Sequence, residues 1–255
     1  MKAVIIGAGR GSRLKHLTNE IPKTLVPVLG RPMLDGILEA LEFGGFSRKD
    51  VVFICGYRKE TIQERYPDLT YVENTDWENN NILLSLLYAR EHLRDGFVST
   101  YADIVYRKEI VRDLVKSDRS IAVGCDTDWR SRYTGRSQHP ETDAEKLRAE
   151  GDRVVELSRK IVSEAAAGEF IGVMKLDPAG VAQFLAAFDE AEKVYRGKVF
   201  REGRTFEKAY LIDLLQHMIE AGTAVHRVDT HGGYMEIDTL EDASLAEDWK
   251  RDLWR

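Results

Sequence analysis

The fold of this 255-residue chain is decided by Lys2-Ala-Val-Ile-Ile-Gly7-Ala-Gly9-Arg10-Gly11-Ser12-Arg13. Val4 to Ile6 are apolar and β-branched, and the glycine that follows at once predicts a buried strand ending in a tight loop. Gly7, Gly9 and Gly11 carry no Cβ, so the backbone N–H groups of the loop can approach a ligand closely and turn inward together. The stretch therefore predicts a strand that leads into a ligand-binding loop.

Cationic side chains accompany this loop, namely Arg10, Arg13 and, further along, Lys23. Guanidinium and ammonium groups beside inward-turned amides make a site for a concentrated anion, and a triphosphate is the best match. Two better-known phosphate loops do not fit. The dinucleotide pattern needs Gly or Ala where the chain has Ser12, and the G-x-x-x-x-G-K-[ST] loop needs a Lys after Gly11 or Ser12.

Beyond the loop, short apolar runs alternate with amphipathic segments, which is typical of an α/β fold with a mostly parallel sheet. The predicted helices are Pro32–Phe43, Ile82–His92, Asp177–Tyr195 with Asp177 as N-cap, and Phe206–Ala221. Val154-Val155 and Phe170–Met174 are predicted to be strands that pair with each other. The strand Phe97–Tyr101 delivers Asp103 at its carboxyl end, where open α/β sheets bind their ligands.

The composition is that of a globular protein, with 43% hydrophobic residues and a net charge of −6. This charge argues against general nucleic-acid binding, which needs a basic face, but it allows a local basic pocket. Cys55 and Cys125 lie far apart in apolar runs and are predicted to be small core residues. Val4–Ile6 is too short for the apolar part of a signal peptide, and no apolar run reaches the length of a membrane span, so we expect a cytoplasmic protein.

Three stretches carry a family resemblance. They are Gly7-Ala-Gly9-Arg10-Gly11-Ser-Arg13-Leu with Thr18, Pro22-Lys23 and Pro27-Val-Leu-Gly30-Arg-Pro32; Asn80-Asn81-Ile82-Leu-Leu-Ser85-Leu86; and Glu236-Ile-Asp238-Thr-Leu-Glu241-Asp242. The first resembles the opening signature of nucleotidyltransferases that activate phosphorylated small molecules with a nucleoside triphosphate. The others resemble the branch that uses CTP, which includes the phosphocholine and aminoethylphosphonate cytidylyltransferases. The resemblance implies a Rossmann-like three-layer α/β/α fold with a mostly parallel mixed sheet, of the nucleotide-diphospho-sugar transferase type.

The resemblance also implies a metal site. Nucleotidyl transfer brings an anionic nucleophile to a polyanion, so neutralisation by Mg²⁺, Lys and Arg is central to the reaction. Mg²⁺ prefers one or two carboxylates together with ligand phosphates. Asp103 and Asp238 match the family's metal positions, although Tyr101-Ala102 stands where many members have a Gly directly before the Asp. N-capping of the last helix is the alternative role for Asp238.

By the same resemblance, Arg13, Lys23 and Lys160 are predicted to be catalytic. Arg13 and Lys23 would hold the triphosphate, and Lys160 would meet the phosphate of the acceptor, with Arg159 as the alternative partner. The predicted nucleotide-binding residues are Gly7, Ala8, Gly9, Arg10, Gly11, Ser12, Asn80, Asn81 and Ser85. The asparagines offer donors and acceptors that can read a pyrimidine edge or a ribose, and helix capping is their alternative role.

Apolar periodicity is lost between about residues 126 and 151, which we call the polar segment. Its arginine forks suit a carboxylate, phosphate or phosphonate, whereas its aromatic faces suit a cationic amine. The mixture predicts a substrate lid, and a solvated mobile loop is the alternative. The predicted acceptor-binding residues, in and beyond this segment, are Trp129, Arg132, Tyr133, Arg136, Glu169, Tyr210, Asp213 and Tyr234.

We therefore expect a single nucleotidyltransferase domain over residues 1–255 that uses Mg²⁺ to transfer CMP from CTP to a small phosphorylated or phosphonate acceptor. Pyrophosphate is released, and no protein base is needed because the acceptor oxygen is anionic near neutral pH. The alternatives are a sugar-1-phosphate nucleotidyltransferase using UTP, GTP or dTTP, a non-catalytic nucleotide-binding regulatory module, and a dinucleotide-dependent oxidoreductase. The expected partners are the two substrates, without nucleic acid or membrane, and a homodimer is left open.

Overall fold

The computed structural model describes residues 1–203 and 205–248, so residue 204 and the end of the predicted domain, residues 249–255, lie outside the described residues. The strands are β1 (Lys2–Ile6), β2 (Pro27–Val28), β3 (Arg31–Pro32), β4 (Val51–Cys55), β5 (Thr70–Glu73), β6 (Phe97–Tyr101), β7 (Ile104–Tyr106), β8 (Ile121–Asp126), β9 (Lys146–Glu150), β10 (Arg153–Leu157), β11 (Gly168–Leu176), β12 (Val225–Thr230) and β13 (Tyr234–Glu236). The α-helices are α1 (Met33–Phe43), α2 (Lys59–Arg65), α3 (Ile82–Leu87), α4 (Glu109–Lys116), α5 (Pro178–Tyr195), α6 (Leu211–Glu220) and α7 (Leu240–Asp248).

The central sheet has nine strands in the order β5-β4-β1-β6-β11-β8-β12-β10-β9. The first four strands are parallel to one another, with β1 between β4 and β6. In the second half, β11 runs antiparallel to β6 and β8, whereas β12 is parallel to β8. The predicted α/β fold with a mixed sheet is therefore confirmed, and its parallel half contains the loop after β1.

Helices cover both faces of this sheet, as the side chains of β1 show. Val4 and Ile6 belong to a core cluster that also contains residues of α3, α5 and α6. Ala3 and Ile5 point the other way, into a cluster formed with α1, α2 and α4. Because successive residues of a strand face opposite sides, this alternation places β1 in the middle of three layers.

Several predicted elements are confirmed and others are corrected. Asp177 caps α5 by accepting the Gly180 N–H at 2.8 Å. The long helix expected from Ile82 ends at Leu87, and a separate 3₁₀ turn covers Arg90–His92. The helix expected from Phe206 is a 3₁₀ turn followed by α6, because Tyr210 between them is extended, with φ −81° and ψ 161°.

The predicted pairing of Val154-Val155 with Phe170–Met174 is wrong. A two-residue turn at Gly151-Asp152 joins β9 and β10 as an antiparallel hairpin, and Gly151 has a φ of 61° that favours glycine. The other neighbour of β10 is β12, and β11 pairs instead with β6, β8 and β9.

A second, smaller pairing brings distant parts of the chain together. β7 and β13 form an antiparallel pair in which Ile104 lies opposite Glu236. The Ile237 N–H extends this pairing by donating to the Asp103 carbonyl at 2.9 Å. Asp103, before β7, and Asp238, after β13, are therefore neighbours at the carboxyl edge of β1 and β6.

Candidate active site

The loop after β1 needs glycine for two different reasons. A Cβ on Gly7 would lie 2.6 Å from the Phe53 ring, because the loop leaves the sheet beside β4. Gly11 has a φ of 69°, in the left-handed region, and a Cβ there would meet the Lys23 side chain at 2.6 Å. The Gly7 N–H donates to the Ile54 carbonyl at 3.0 Å, so this donor is used by the sheet and the ligand-binding amides would begin after it.

Four predicted residues from separate parts of the sequence meet beside this loop: Arg13, Lys23, Asp103 and Asp238. Lys23 is buried, and its Nζ donates to Asp103 Oδ2 at 2.7 Å and also to the carboxylate of Asp238. Arg13 donates to the other carboxylate oxygen of Asp238. The structure thus gathers two cations and two carboxylates within contact of one another.

The charges of this cluster stabilise one another. Burial lowers the pKa of Lys23, but the carboxylates of Asp103, Asp238 and Glu236 outweigh burial and leave that pKa above its ordinary value. Burial raises the pKa of Asp238, whereas Lys23 and Arg13 lower it to a net position below its ordinary value. Lys23 and Asp238 are therefore both charged at neutral pH.

Glu236 is a further carboxyl group of this cluster, which the sequence placed in a motif without giving it a role. Burial, together with the neighbouring Asp238 and Asp103, raises the pKa of Glu236 well above its usual range. Ligand atoms of His139, Glu236 and Asp238 lie within 4.8 Å of one another. Three carboxyl groups therefore face the two cations Lys23 and Arg13, and this excess of hard oxygen ligands fits a divalent cation such as Mg²⁺.

Two cavities meet at Asp103. The first, the loop cavity, is lined by Ile6, Gly7, Ala8, Gly9, Gly11, Lys23, Thr24, Asn74, Trp77, Asn80, Asn81, Ile82, Ser85, Ala102 and Asp103. The second, the acid cavity, is lined by Ile6, Arg13, Asn81, Ile82, Tyr101, Asp103, Asp143, Glu145, Arg159, Glu169, Phe170, Tyr210, Tyr234, Glu236 and Asp238. Because the two cavities share four residues, Asp103 among them, molecules bound in both would meet at the carboxylates.

The asparagines of the loop cavity form an ordered network. Asn80 and Asn74 exchange amide hydrogen bonds, each of 2.9 Å, and Asn74 Nδ2 also donates to Ser85 Oγ at 3.1 Å. Asn81 begins α3, but its side chain donates to the Lys208 carbonyl at 3.2 Å and does not cap the helix. Asn74 was not among the predicted site residues, although its place in the same Asn-rich stretch was the available signal.

The acid cavity is dominated by carboxyl groups and tyrosines. Arg159 lies over the Tyr210 ring at 3.9 Å and within 3.5 Å of Glu145, which also accepts a hydrogen bond of 3.2 Å from the Tyr101 hydroxyl. Burial raises the pKa of Glu145 to about 7, against the opposing effects of Arg159 and Tyr101. Predicted residues Glu169 and Tyr234 line the same cavity, together with Tyr210.

Other predicted residues lie away from both cavities. Lys160 lines a neighbouring groove that shares Arg159 and Tyr210 with the acid cavity, so Arg159, the alternative partner, lines the acid cavity and Lys160 does not. Asp213 is buried and accepts the N–H groups of Glu202 and Tyr210, as a residue at the start of α6 would. Arg10 and Ser12 are exposed on the loop, and Arg10 donates to Asn19 at 3.1 Å.

The predicted acceptor residues of the polar segment are packed, although much of the rest of the segment is exposed. Arg132 is buried and bonds to Asp126 and Glu169, and the Tyr133 hydroxyl donates to Glu169 at 2.6 Å. Trp129 packs edge-on against Tyr133. Arg136 pairs with a carboxylate outside the acid cavity, Asp242. None of the four predicted acceptor residues Trp129, Arg132, Tyr133 and Arg136 lines the acid cavity, and their contact with an acceptor stays a prediction. Glu169, the partner of Arg132 and Tyr133, is the group that faces the cavity.

Within the described part of the chain, no helix combines the length and the apolar character that crossing a bilayer requires.

Comparison with known proteins identifies relatives of this arrangement. Residues 3–167 match the MobA-like NTP transferase domain. The chain is 25% identical over 255 residues to the CTP:phosphoglutamine cytidylyltransferase of Campylobacter jejuni, with 96% of this chain and 98% of that protein covered. It is 32% identical over 120 residues to the choline-phosphate cytidylyltransferase of Streptococcus pneumoniae, with 46% of this chain and 51% of that protein covered.

A solved structure shows the same fold over nearly the whole chain. The CTP:phosphocholine cytidylyltransferase from Streptococcus pneumoniae is similar with a TM-score of 0.73 at 23% identity, covering 98% of this chain and 99% of that one. This likeness confirms the predicted fold, and the domain match covers more than half of the sequence. The chain belongs to the MobA-like NTP transferase family and is a nucleotidyltransferase.

Proposed function

We propose that this enzyme transfers CMP from CTP to a small acceptor that carries an anionic phosphoryl or phosphonyl oxygen and a positively charged nitrogen, with release of pyrophosphate. One observation supports this most: the acid cavity opens beside Asp103 onto the loop cavity and presents carboxyl groups and tyrosine rings. The two substrates would therefore lie in adjoining cavities, and the reacting groups would meet at their junction.

The loop cavity suits the nucleotide. Its glycine loop and Lys23 supply donors for a triphosphate, and Asn80 and Ser85 supply polar groups for the base or ribose. The names of the relatives support CTP, because the full-length relative from Campylobacter jejuni and the choline-phosphate enzyme are both cytidylyltransferases. We assign Arg13 and Lys23 to the phosphates and the asparagine network to cytosine.

Mg²⁺ would be held by Asp103 and Asp238, with Glu236 beside them, and would neutralise charge at the phosphate that is attacked. Lys23 lies between the same two carboxylates, so its ammonium is fixed next to the loop that faces the phosphates. This arrangement reduces the repulsion between an anionic acceptor oxygen and the triphosphate. No base needs to remove a proton, because that oxygen is ionised near neutral pH.

The acid cavity decides the class of acceptor. Asp143, Glu145 and Glu169 lie beyond the metal carboxylates, and the tyrosines add π faces, which together attract an ammonium group. Arg159 is the cation that would meet the phosphoryl or phosphonyl group, or a carboxylate on the same molecule. Arginines that would have favoured a purely anionic acceptor, such as Arg132, are neutralised by Asp126 and Glu169.

A panel of nucleotides and acceptors tests this proposal. The enzyme is incubated with Mg²⁺ and CTP, UTP, GTP or dTTP, and with 2-aminoethylphosphonate, phosphocholine, propylphosphonate or glucose 1-phosphate. We expect CTP to be used, and 2-aminoethylphosphonate to exceed its amine-free analogue propylphosphonate in kcat/KM by about tenfold or more. Pyrophosphate release and mass spectrometry of the CMP conjugate provide the measurements.

Two outcomes would contradict the proposal. Equal use of propylphosphonate and 2-aminoethylphosphonate would remove the role of the ammonium group. A preference for glucose 1-phosphate with UTP or dTTP would instead establish the sugar-1-phosphate nucleotidyltransferase, for which the carboxyl and tyrosine groups would bind sugar hydroxyls.

A further inference from the structure

The polar segment is tied to the turn that carries Asp238. We call residues 236–242 the carboxylate turn. Arg136 donates from Nε to Asp242 Oδ1 at 2.9 Å and from Nη2 to the Glu236 carbonyl at 3.0 Å. Next to it, the Ser137 and Gln138 N–H groups donate to Glu241 at 2.8 and 2.7 Å. Two stretches about a hundred residues apart are therefore joined by side chains at both ends of the turn.

Asp242 is the centre of this junction. Its Oδ1 receives Arg136, while its Oδ2 accepts the backbone N–H groups of Asp238 at 3.0 Å and Thr239 at 2.8 Å. The Asp242 side chain is fully buried, and the Arg136 side chain is 1% exposed. One carboxylate thus connects a buried guanidinium to the backbone of the residue that faces Lys23.

Helix capping explains only part of these contacts. Thr239 Oγ1 accepts the Asp242 N–H at 3.2 Å, and Asp242 accepts the Thr239 N–H, which together form a capping box at the start of α7. Capping requires neither the bond to the Asp238 N–H nor a buried arginine. Burying Arg136 and Asp242 together costs desolvation that a solvent-exposed cap would avoid.

We propose that Asp242 is a positioning residue, held by Arg136, that fixes the backbone of Asp238 so that its carboxylate is oriented to bind a divalent cation. The inference rests on the metal role given to Asp238 in the proposed function. The proposal also gives residues 136–138 of the polar segment a different role: they hold the carboxylate turn in place and do not line the acid cavity. Groups that orient metal ligands in this way are often as important as the ligands.

The test compares Asp242→Asn and Arg136→Lys with Thr239→Ala. Asp242→Asn removes the charge that pairs with Arg136, and Arg136→Lys keeps the charge but loses the fork. Thr239→Ala removes only the hydroxyl that caps the Asp242 N–H and leaves the Asp242 carboxylate in place. Calorimetry measures Mn²⁺ binding to each protein in the presence of α,β-methylene CTP, and thermal unfolding measures stability. Steady-state kinetics give the half-saturating Mg²⁺ concentration and the acceptor KM.

We expect Asp242→Asn to weaken Mn²⁺ binding by about tenfold or more, with a smaller loss for Arg136→Lys. The half-saturating Mg²⁺ concentration should rise in parallel, while the acceptor KM changes less, because Glu145, Arg159 and Glu169 of the acid cavity lie outside the carboxylate turn. Thr239→Ala should lower the unfolding midpoint without weakening Mn²⁺ binding. If Asp242→Asn does not fold, Mn²⁺ binding by Arg136→Lys tests the inference.

Two results would overturn the inference. One is Mn²⁺ binding by Asp242→Asn and Arg136→Lys that equals wild type. The other is an equal loss in Thr239→Ala, which would reduce Asp242 to a helix cap. Failure of the wild-type protein to bind Mn²⁺ with the nucleotide would instead refute the metal role of Asp238, and the inference would fall with it.

Discussion

The loop cavity and the acid cavity share Asp103, but they are built in opposite ways. The loop cavity takes most of its lining from residues 6–24 and 74–85, two short stretches beside parallel strands. The acid cavity draws on β6, β11, β13, the polar segment and the start of α6. The proposed phosphate site is therefore local in sequence, whereas the proposed acceptor site depends on the packing of distant segments.

Charge also differs between the two regions. Around the loop, Lys23 and Arg13 meet their carboxylates at the edge of a cavity, where a ligand can reach them. In the polar segment, Arg132 lies behind the cavity wall, to which Glu169 belongs, and its charge is satisfied internally by Asp126 and Glu169. Cations at the junction should therefore affect turnover, and cations behind the wall should affect stability.

Removal of Lys23 should have the largest effect. We expect Lys23→Ala to lower kcat by about 1000-fold, because it removes the cation that lies beside the glycine loop and both carboxylates proposed to bind Mg²⁺. Steady-state turnover of CTP is the measurement, with circular dichroism to confirm folding. Lys15→Ala, an exposed lysine after the same loop, is the matched control.

Turnover by Lys23→Ala near that of Lys15→Ala would contradict a catalytic role for cations at the junction of the two cavities, since that junction would then need no cation from the protein.

Loss of Arg132 should act on stability instead. Arg132→Met leaves Asp126 and Glu169 buried without their partner, so the free energy of unfolding should fall by about 3 kcal/mol or more. The neighbouring Arg130 is half exposed and pairs with exposed Glu164, so Arg130→Met should cost less than about 1 kcal/mol. Urea denaturation measures both variants.

Binding of CTP separates the two regions further. Arg132→Met should bind CTP as wild type does wherever the protein remains folded. A variant that keeps its stability but loses acceptor binding would show that Arg132 acts on the acceptor, either by direct contact, as the sequence predicted, or through Glu169.

The sequence was sufficient for the parts that depend on local chemistry. The glycines and cations near residue 10 predicted a phosphate-binding loop after a strand, and the end of the predicted strand Phe97–Tyr101 placed Asp103 at a carboxyl edge. The meeting of Asp103 with Asp238 was inferred only through family resemblance, because it depends on the β7–β13 pairing of residues about 130 apart. No local pattern in the sequence predicts that register.

The side-chain contacts on the acceptor side could not be predicted from hydrophobic periodicity. Arginines and aromatic residues in a polar stretch suggest an open binding surface, but Arg132 and Arg136 have buried carboxylates supplied by β8, β11 and α7. Which of the adjacent Arg159 and Lys160 enters the cavity depends on how the chain leaves β10. Both outcomes are set by tertiary packing, which a single sequence does not display.

Titration of Glu145 should give the smallest effect, and it tests the acid cavity separately because Glu145 lines that cavity and not the loop cavity. Glu145 faces Arg159, Tyr101 and Glu169, and burial raises its pKa to about 7. It is therefore mostly neutral at pH 6 and ionised at pH 8. An ionised carboxylate attracts the ammonium group of the acceptor, so the KM for 2-aminoethylphosphonate should fall by up to about tenfold over this range.

Ionisation of Glu145 should favour acceptor binding but disfavour folding. An acid whose pKa is raised in the folded state binds more protons folded than unfolded, so its contribution to stability is present below pH 4.5 and is lost as pH rises towards 7.

Glu145→Gln should remove the pH dependence of both the KM and the stability. Propylphosphonate should show no KM change that depends on Glu145, because it lacks the ammonium group. Equal pH profiles for wild type and Glu145→Gln with 2-aminoethylphosphonate would mean that the nitrogen of the acceptor is bound elsewhere in the acid cavity. Glu169, which Arg132 and Tyr133 hold in place, would then be the carboxylate to test.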